Sequence, residues 1–221
     1  SGRRVVVTGL GIVSPVGVNL KQSWENIVAG KSGIAPITAF DASQFSTRIS
    51  GSVKDFDATE YLTVKDIKKM DPFIHYGVAA SVDALRDSGL EITEANGERV
   101  GVAMGAGIGG IRFIEDNHDK LLAGGQRKVS PFFIPGSIIN MIGGHLSIVY
   151  NLKGPNLAIV TACSTATHNI GSAARMIQYG EADVLLSGGS EAAITPLAIG
   201  GFSALKALSY CALVGICRQS A

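Results

Sequence analysis

In this 221-residue sequence one side chain stands where nucleophilic chemistry is easy to build. Leu157-Ala158-Ile159-Val160-Thr161 is an apolar run of strand length, and it passes through Ala162 into Cys163-Ser164-Thr165-Ala166, small residues that open a helical pattern. A cysteine at such a strand-to-helix turn meets unpaired N–H groups and the positive end of the helix dipole, which favour thiolate over thiol. A thiolate so placed can attack a thioester carbonyl, and the N–H of Cys163 can help hold the oxyanion that forms. The same pattern also fits an inert cysteine packed beside an apolar strand, the commoner fate of this residue type. His168 is no partner for Cys163, because five helical residues turn a side chain by about 140° and leave the two facing different directions. His75, His118 and His145 stand on helical patterns without neighbouring metal ligands and read as core or capped histidines.

A second motif competes with the first. Gly105-Ala106-Gly107-Ile108-Gly109-Gly110 follows an apolar run and satisfies G-x-G-x-x-G, the phosphate-cradling turn of nucleotide-dependent oxidoreductases. Such a site wants an acidic residue about 20 positions on, where this chain has a glycine pair followed by Arg127 and Lys128. Lys65, Lys68 and Lys69 share a helical spacing and are partly balanced by Asp66 and Asp71, the pattern of a solvated helix face.

The elements that must position these residues are an alternation of strand-length apolar runs with longer helical patterns, which marks a layered α/β fold. Strands are expected at 5–8, 100–104, 157–161 and 184–187, and helices at 21–29, 72–88, 110–122, 136–150 and 164–179. On the last helix Ala166, Ile170, Ala173, Ala174 and Ile177 form a small-residue face for close packing. A length of 221 residues with 46% hydrophobic residues can bury a sizeable core, as one domain or one large half of a symmetric fold. A net charge of +1 gives no global attraction to nucleic acid or to acidic membranes, so an acidic partner must be met by a local patch. No segment approaches the roughly 20 apolar residues that span a bilayer. Cys163, Cys211 and Cys217 fit neither a disulfide framework nor a CxxC pair, so a soluble protein of a reducing, cytoplasm-like compartment or organelle matrix is expected, without a metal.

Five ordered blocks resemble the β-ketoacyl-acyl-carrier-protein synthases, type II class: Val5-Val6-Val7-Thr8-Gly9-Leu10-Gly11, the glycine block at 105–110, Ser130-Pro131-Phe132-Phe133, Thr161-Ala162-Cys163-Ser164 with His168-Asn169-Ile170-Gly171, and Gly188-Gly189-Ser190-Glu191. The likeness runs from about residue 3 to 209. It implies a thiolase-like α-β-α-β-α fold of two similar halves, of which this is the amino-terminal one, in a homodimer paired through the strand at about 156–161. It further implies that Cys163 accepts an acyl chain from acyl carrier protein and that malonyl-carrier protein is then decarboxylated to elongate it, as in fatty acid biosynthesis. Among the substrate-binding positions that it implies, Ile108 and Phe202 match residues lining an apolar acyl tunnel and Phe133 one contributed near the dimer seam, and each methylene buried there contributes about 0.8 kcal/mol. Lys65, Lys69 and Lys206 match carrier-protein contacts, and Lys68, Arg127 and Lys128 are further candidates. No cofactor is implied beyond the phosphopantetheine that carries the substrates.

The resemblance also implies that two catalytic histidines, a lysine and a second oxyanion donor belong to the carboxy-terminal half. After Ser209 the pattern stops, and residues 210–221, YCALVGICRQSA, form an apolar tail unlike what should follow. A chain ending there is expected to be poorly stable as a monomer, and could bind carrier protein or dimerise without completing condensation.

Overall fold

The computed structural model describes residues 2–209; the tail at 210–221, with Cys211 and Cys217, lies outside them. The described elements are α1 (Leu20–Val28), β1 (Ala35–Pro36), β2 (Ile49–Ser50), α2 (Val64–Ile67), α3 (Pro72–Ser88), β3 (Val100–Gly105), α4 (Ile111–Gly124), α5 (Phe133–Ser137), α6 (Met141–Tyr150), β4 (Asn156–Leu157), α7 (Thr165–Gln178), β5 (Val184–Gly189) and α8 (Pro196–Ala204).

Local chemistry explains the longest helix. The Asp71 carboxylate accepts the Phe73 N–H at 3.1 Å, Pro72 occupies the first turn where its missing N–H costs nothing, and Gly89 closes the helix in the left-handed conformation with φ 65°. Asp71 also accepts the Phe113 N–H at 2.9 Å, so one buried carboxylate caps α3 and the first turn of α4 together. Its burial pushes the carboxyl above the usual range, against the pull of those two N–H groups.

The main sheet has the order β4-β3-β5, all parallel, with Val102 opposite Asn156 and Val100 opposite Val184. Every residue of β3 is buried. Val100, Val102 and Met104 point into a core with Phe73, Ile74, Val78 and Val82 of α3 and Ile142 and Leu146 of α6. Burying each of the larger side chains stabilises the fold by roughly 1.5–3 kcal/mol. The opposite face of β3 carries Gly101, Ala103 and Gly105, and α7 lies against it, so helices cover the sheet on both sides. A methyl group on Gly105 would fall 3.0 Å from Thr165 Cγ2 and 3.1 Å from Asn169 Nδ2, which is why this face must be nearly bare.

Four expected elements differ from the observed ones. Residues 5–8 pair with no strand among the described residues, and Val6 and Val7 are 64% and 77% exposed. The segment is instead pressed onto α3, where a Cβ on Gly11 would lie 1.8 Å from the Ala80 carbonyl oxygen, and Leu10 N–H donates to Asp87 at 2.9 Å. The strand expected at 157–161 is two residues long, because beyond Leu157 its polar groups are taken by side chains. The helix expected at 136–150 is two helices, since Gly110 N–H claims the Ser137 carbonyl at 3.0 Å and Ile138 is extended. On α7 the deeply buried residues are Thr165, Asn169 and Ala173, whereas Ile170 is 53% exposed, because the polar side chains serve the chain next to it. A further helix, α8, starts with Thr195 capping the Ala198 N–H at 3.2 Å and Pro196 following it.

Candidate active site

The turn that carries Cys163 is held by its own following helix. Asn169 is fully buried and behaves like a piece of neighbouring strand: its side-chain oxygen accepts the Ile159 N–H at 3.2 Å, and its amide donates to the Ile159 carbonyl at 3.0 Å and to the Thr165 carbonyl at 2.9 Å. Thr165 Oγ1 accepts the Thr161 N–H at 2.9 Å, and Ser164 N–H closes back on the Thr161 carbonyl at 3.0 Å. Ala162 takes the left-handed conformation, with φ 52°, and residues 162–164 make one tight turn before α7 begins. Cys163 is exposed and free, so the thiol is presented at the surface and not buried as an inert core residue. His168 meets the Thr161 hydroxyl through Nδ1 at 2.7 Å, two residues ahead of the thiol. His75 is a core histidine: Nε2 lies 3.1 Å from the Ile67 carbonyl, and burial holds it below its ordinary range. Burial does the same to His145, while His118 is exposed on α4.

Across from this turn lies the glycine loop after β3. Its N–H groups do not wait for a phosphate, since Ile108 N–H donates to one oxygen of the Glu191 carboxylate at 2.8 Å and Gly109 N–H to the other at 2.9 Å. Gly107 is the contact point between three segments: a Cβ there would lie 2.9 Å from Glu191 Oε2 and 3.2 Å from both the Cα and the carbonyl oxygen of Ala162. The G-x-G-x-x-G pattern therefore serves close approach of backbones and a carboxylate of this chain, which removes the physical basis for a dinucleotide at this loop.

The expected lining residues come from three elements. Ile108 stands on the glycine loop and is 38% exposed, Phe133 opens α5 and is half-buried, and Phe202 lies on α8 and is 40% exposed. The loop is tied to α5 by the Gly110–Ser137 hydrogen bond, and α8 is tied to α4 by Leu197 N–H donating to Glu115. Among the expected basic residues, Lys65, Lys68 and Lys69 come together with Val64 and Phe132 around a groove of about 570 Å³. Lys69 is partly committed there, 3.6 Å from Asp66 and 4.9 Å above the Phe132 ring. Lys65 and Lys68 form no ion pair among the described residues. Arg127 and Lys128 sit on an exposed turn after α4, and Lys206 lies past α8 in a left-handed conformation with φ 55°. Sequence reasoning attached no role to Asn169, Thr165 or Glu191; the usable signal was polar residues on the buried stripe of a helix next to Cys163.

A family model described as the N-terminal domain of beta-ketoacyl synthase matches residues 2–221. The chain is 59% identical over 209 residues to a 3-oxoacyl-[acyl-carrier-protein] synthase 2 of Vibrio harveyi, covering 95% of this chain and 50% of that protein. It is 47% identical over 208 residues to the protein of that name from Synechocystis, covering 94% of this chain and again 50% of the relative. The chain thus spans about half the length of the curated relatives it matches. Among solved structures it resembles a beta-ketoacyl synthase from Burkholderia phymatum, with a TM-score of 0.82 and 26% identity over 94% of this chain and 51% of that one. It also resembles a type II polyketide ketosynthase solved in complex with its acyl-carrier protein, with a TM-score of 0.79 and 27% identity over 91% of this chain and 55% of that one. Helices on both faces of a parallel sheet, with an exposed cysteine at the sheet-to-helix turn, thus accompany matches along almost the entire chain, and the chain belongs to the β-ketoacyl synthase family, of which it carries the N-terminal domain.

Proposed function

We propose that this chain is the acyl-accepting half of a β-ketoacyl-acyl-carrier-protein synthase of fatty acid biosynthesis, with Cys163 as the nucleophile. The observation that carries the proposal is the presentation of Cys163: exposed, at the start of a 14-residue helix, on a turn fixed by Asn169 and Thr165. The Cys163 thiolate attacks the carbonyl of an acyl thioester borne on the phosphopantetheine of a carrier protein. The tetrahedral oxyanion is held in part by the Cys163 N–H, and collapse expels the carrier thiolate and leaves the acyl group on Sγ. Ile108, Phe133 and Phe202 line the path of the acyl chain. Decarboxylation of malonyl-carrier protein and attack on the acyl-Cys163 thioester need groups that the family resemblance assigns to a carboxy-terminal half. A free cysteine nucleophile suits a reducing, cytoplasm-like compartment, and among the described residues no helix is long and apolar enough to cross a membrane. β4 is an edge of the sheet with Leu157 43% exposed, which suits the strand pairing of a homodimer.

The test is peptide mapping after incubation with a long-chain acyl-carrier protein or with cerulenin. Label on Cys163 in preference to Cys211 and Cys217 supports the proposal, and label mainly on either of the latter two sinks it. A second reading keeps the basic groove of Lys65, Lys68 and Lys69 without the condensation: a chain that dimerises or binds acyl carrier protein without turnover. Radiolabelled malonyl-carrier protein separates the two, since only the full synthase yields β-ketoacyl product. Docking of the acidic carrier is assigned to the Lys65–Lys68–Lys69 groove, with Arg127, Lys128 and Lys206 as outlying contacts. Charge reversal at Lys65 and Lys68 should weaken carrier binding and flatten its dependence on salt. Affinity unchanged at low ionic strength would move the docking site elsewhere.

A further inference from the structure

We propose that Glu191 is a positioning residue for the acyl chain: by holding the N–H groups of Ile108 and Gly109 on its two carboxylate oxygens, it fixes where the Ile108 side chain stands relative to Cys163. The inference rests on the acyl-accepting role of Cys163 given above.

Glu191 is itself rigidly delivered. Its neighbour Ser190 is fixed twice at the end of β5, by Ser190 N–H to the Gly105 carbonyl at 3.0 Å and by Ser190 Oγ to the Phe73 carbonyl at 2.7 Å. The side chain makes no ion pair with lysine or arginine among the described residues, so its charge is met by loop N–H groups. Each oxygen takes one N–H, so the side chain acts as acceptor at both of its oxygens. A glutamine of the same shape would turn an amide N–H toward one of those donors and lose that bond. The contact then passes to the nucleophile through Gly107, whose missing side chain leaves room for both Glu191 Oε2 and Ala162. Gly109, with φ 82°, sends the chain sharply toward Ser137, leaving Ile108 at the apex of the loop and 38% exposed. A side chain at such an apex contacts a ligand with a geometry set by whatever holds the two flanking N–H groups.

The experiment uses the whole chain with the variants Glu191→Gln and Ile108→Ala, each checked by thermal melting. Two quantities are read: hydrogen exchange of the Ile108 and Gly109 amides, and the rate of Cys163 alkylation by N-dodecyl iodoacetamide divided by the rate with iodoacetamide. In the parent chain both amides exchange slowly and the long reagent is favoured. Glu191→Gln should speed exchange by about tenfold or more at whichever of the two amides loses its acceptor. It should also lower the rate ratio by about tenfold, the cost of a binding wall out of register. Ile108→Ala should lower the ratio while the Gly109 amide stays protected, so the proposal remains testable even if Glu191→Gln folds poorly. Unchanged exchange in a folded Glu191→Gln variant overturns the proposal, as does a ratio unmoved by Ile108→Ala. Failure of the acyl-accepting role looks different: the parent chain shows no preference for the long reagent while Glu191→Gln still speeds exchange, which supports the clamp and removes its acyl ligand.

Discussion

Residues 5–11 and residues 157–163 are both apolar runs that end in small residues, and neither is paired as a strand along most of its length. The first is held by shape. Its glycines at 9 and 11 let the backbone lie directly on α3, Val6 and Val7 face outward, and Leu10 contributes one hydrogen bond to Asp87. The second is held by directional bonds, with Asn169 and Thr165 meeting three of its backbone groups. Contact by shape tolerates small sliding, whereas a buried amide bonded through both its donor and its acceptor does not. The contrast sets the segment that carries Cys163 apart as the one with a polar scaffold.

The largest effect expected from this contrast belongs to Asn169→Asp. The substitution keeps shape but removes the donors to the Ile159 and Thr165 carbonyls and places a carboxylate against them, a loss of about 3–5 kcal/mol. Urea unfolding should show that loss together with much slower alkylation of Cys163, and an unchanged midpoint would break the contrast. Next is Gly11→Ala, whose new methyl group meets the Ala80 carbonyl at 1.8 Å and forces the segment off α3. Overpacking of this kind costs about 1–3 kcal/mol. Because the strain falls far from the turn at 162–164, melting should shift while the alkylation rate of Cys163 does not; slower alkylation would show the two regions to be coupled. The smallest effect is electrostatic. Hydrogen bonds from Arg99 and then Arg3 hold the exposed Asp183 carboxyl well below the usual carboxylate range and tie the first residues of the chain to the foot of β5. A folded value depressed in this way adds stability that is present above the unfolded value, about 3.9, and is lost as pH falls through the folded one. Asp183→Asn should therefore lower the melting temperature slightly at pH 7, with the difference fading in concentrated salt and in strong acid. A difference that persists in strong acid would argue for packing, not charge.

Much of the frame was legible because its signals are local. Asp71, Pro72 and Gly89 bound α3 at 72–88, and the uninterrupted apolar run at 100–104 announced the buried centre strand. The place of Cys163 on a turn before a helix was legible for the same reason, as a cysteine between a strand-like run and small helical residues. The missing information is carried through space. Nothing between 136 and 150 says that Gly110 will take the Ser137 carbonyl and break the helix, and nothing near Ile108 says that its N–H belongs to Glu191, 83 residues away. Residues 5–8 satisfy every local rule for a strand, yet pairing requires a neighbour, and the glycines that follow dock the segment on a helix. α8 was the avoidable omission, since Thr195-Pro196 is a start signal in plain view.

Ala162, with its φ of 52°, can also be considered as a distribution of directions. A glycine at that place would visit both signs of φ about equally, and the sulfur one residue later would sweep a wide arc whenever the turn loosened. Alanine finds the left-handed well costly and narrow, by roughly 1–2 kcal/mol relative to the right-handed one. Once the packing of Gly107 and the bonds of Asn169 have forced it over, little room for wandering remains inside that well. The methyl group of Ala162 thus sharpens the aim of the thiol: fewer orientations are sampled between encounters, and a larger share of encounters with an incoming electrophile begins from the same approach angle.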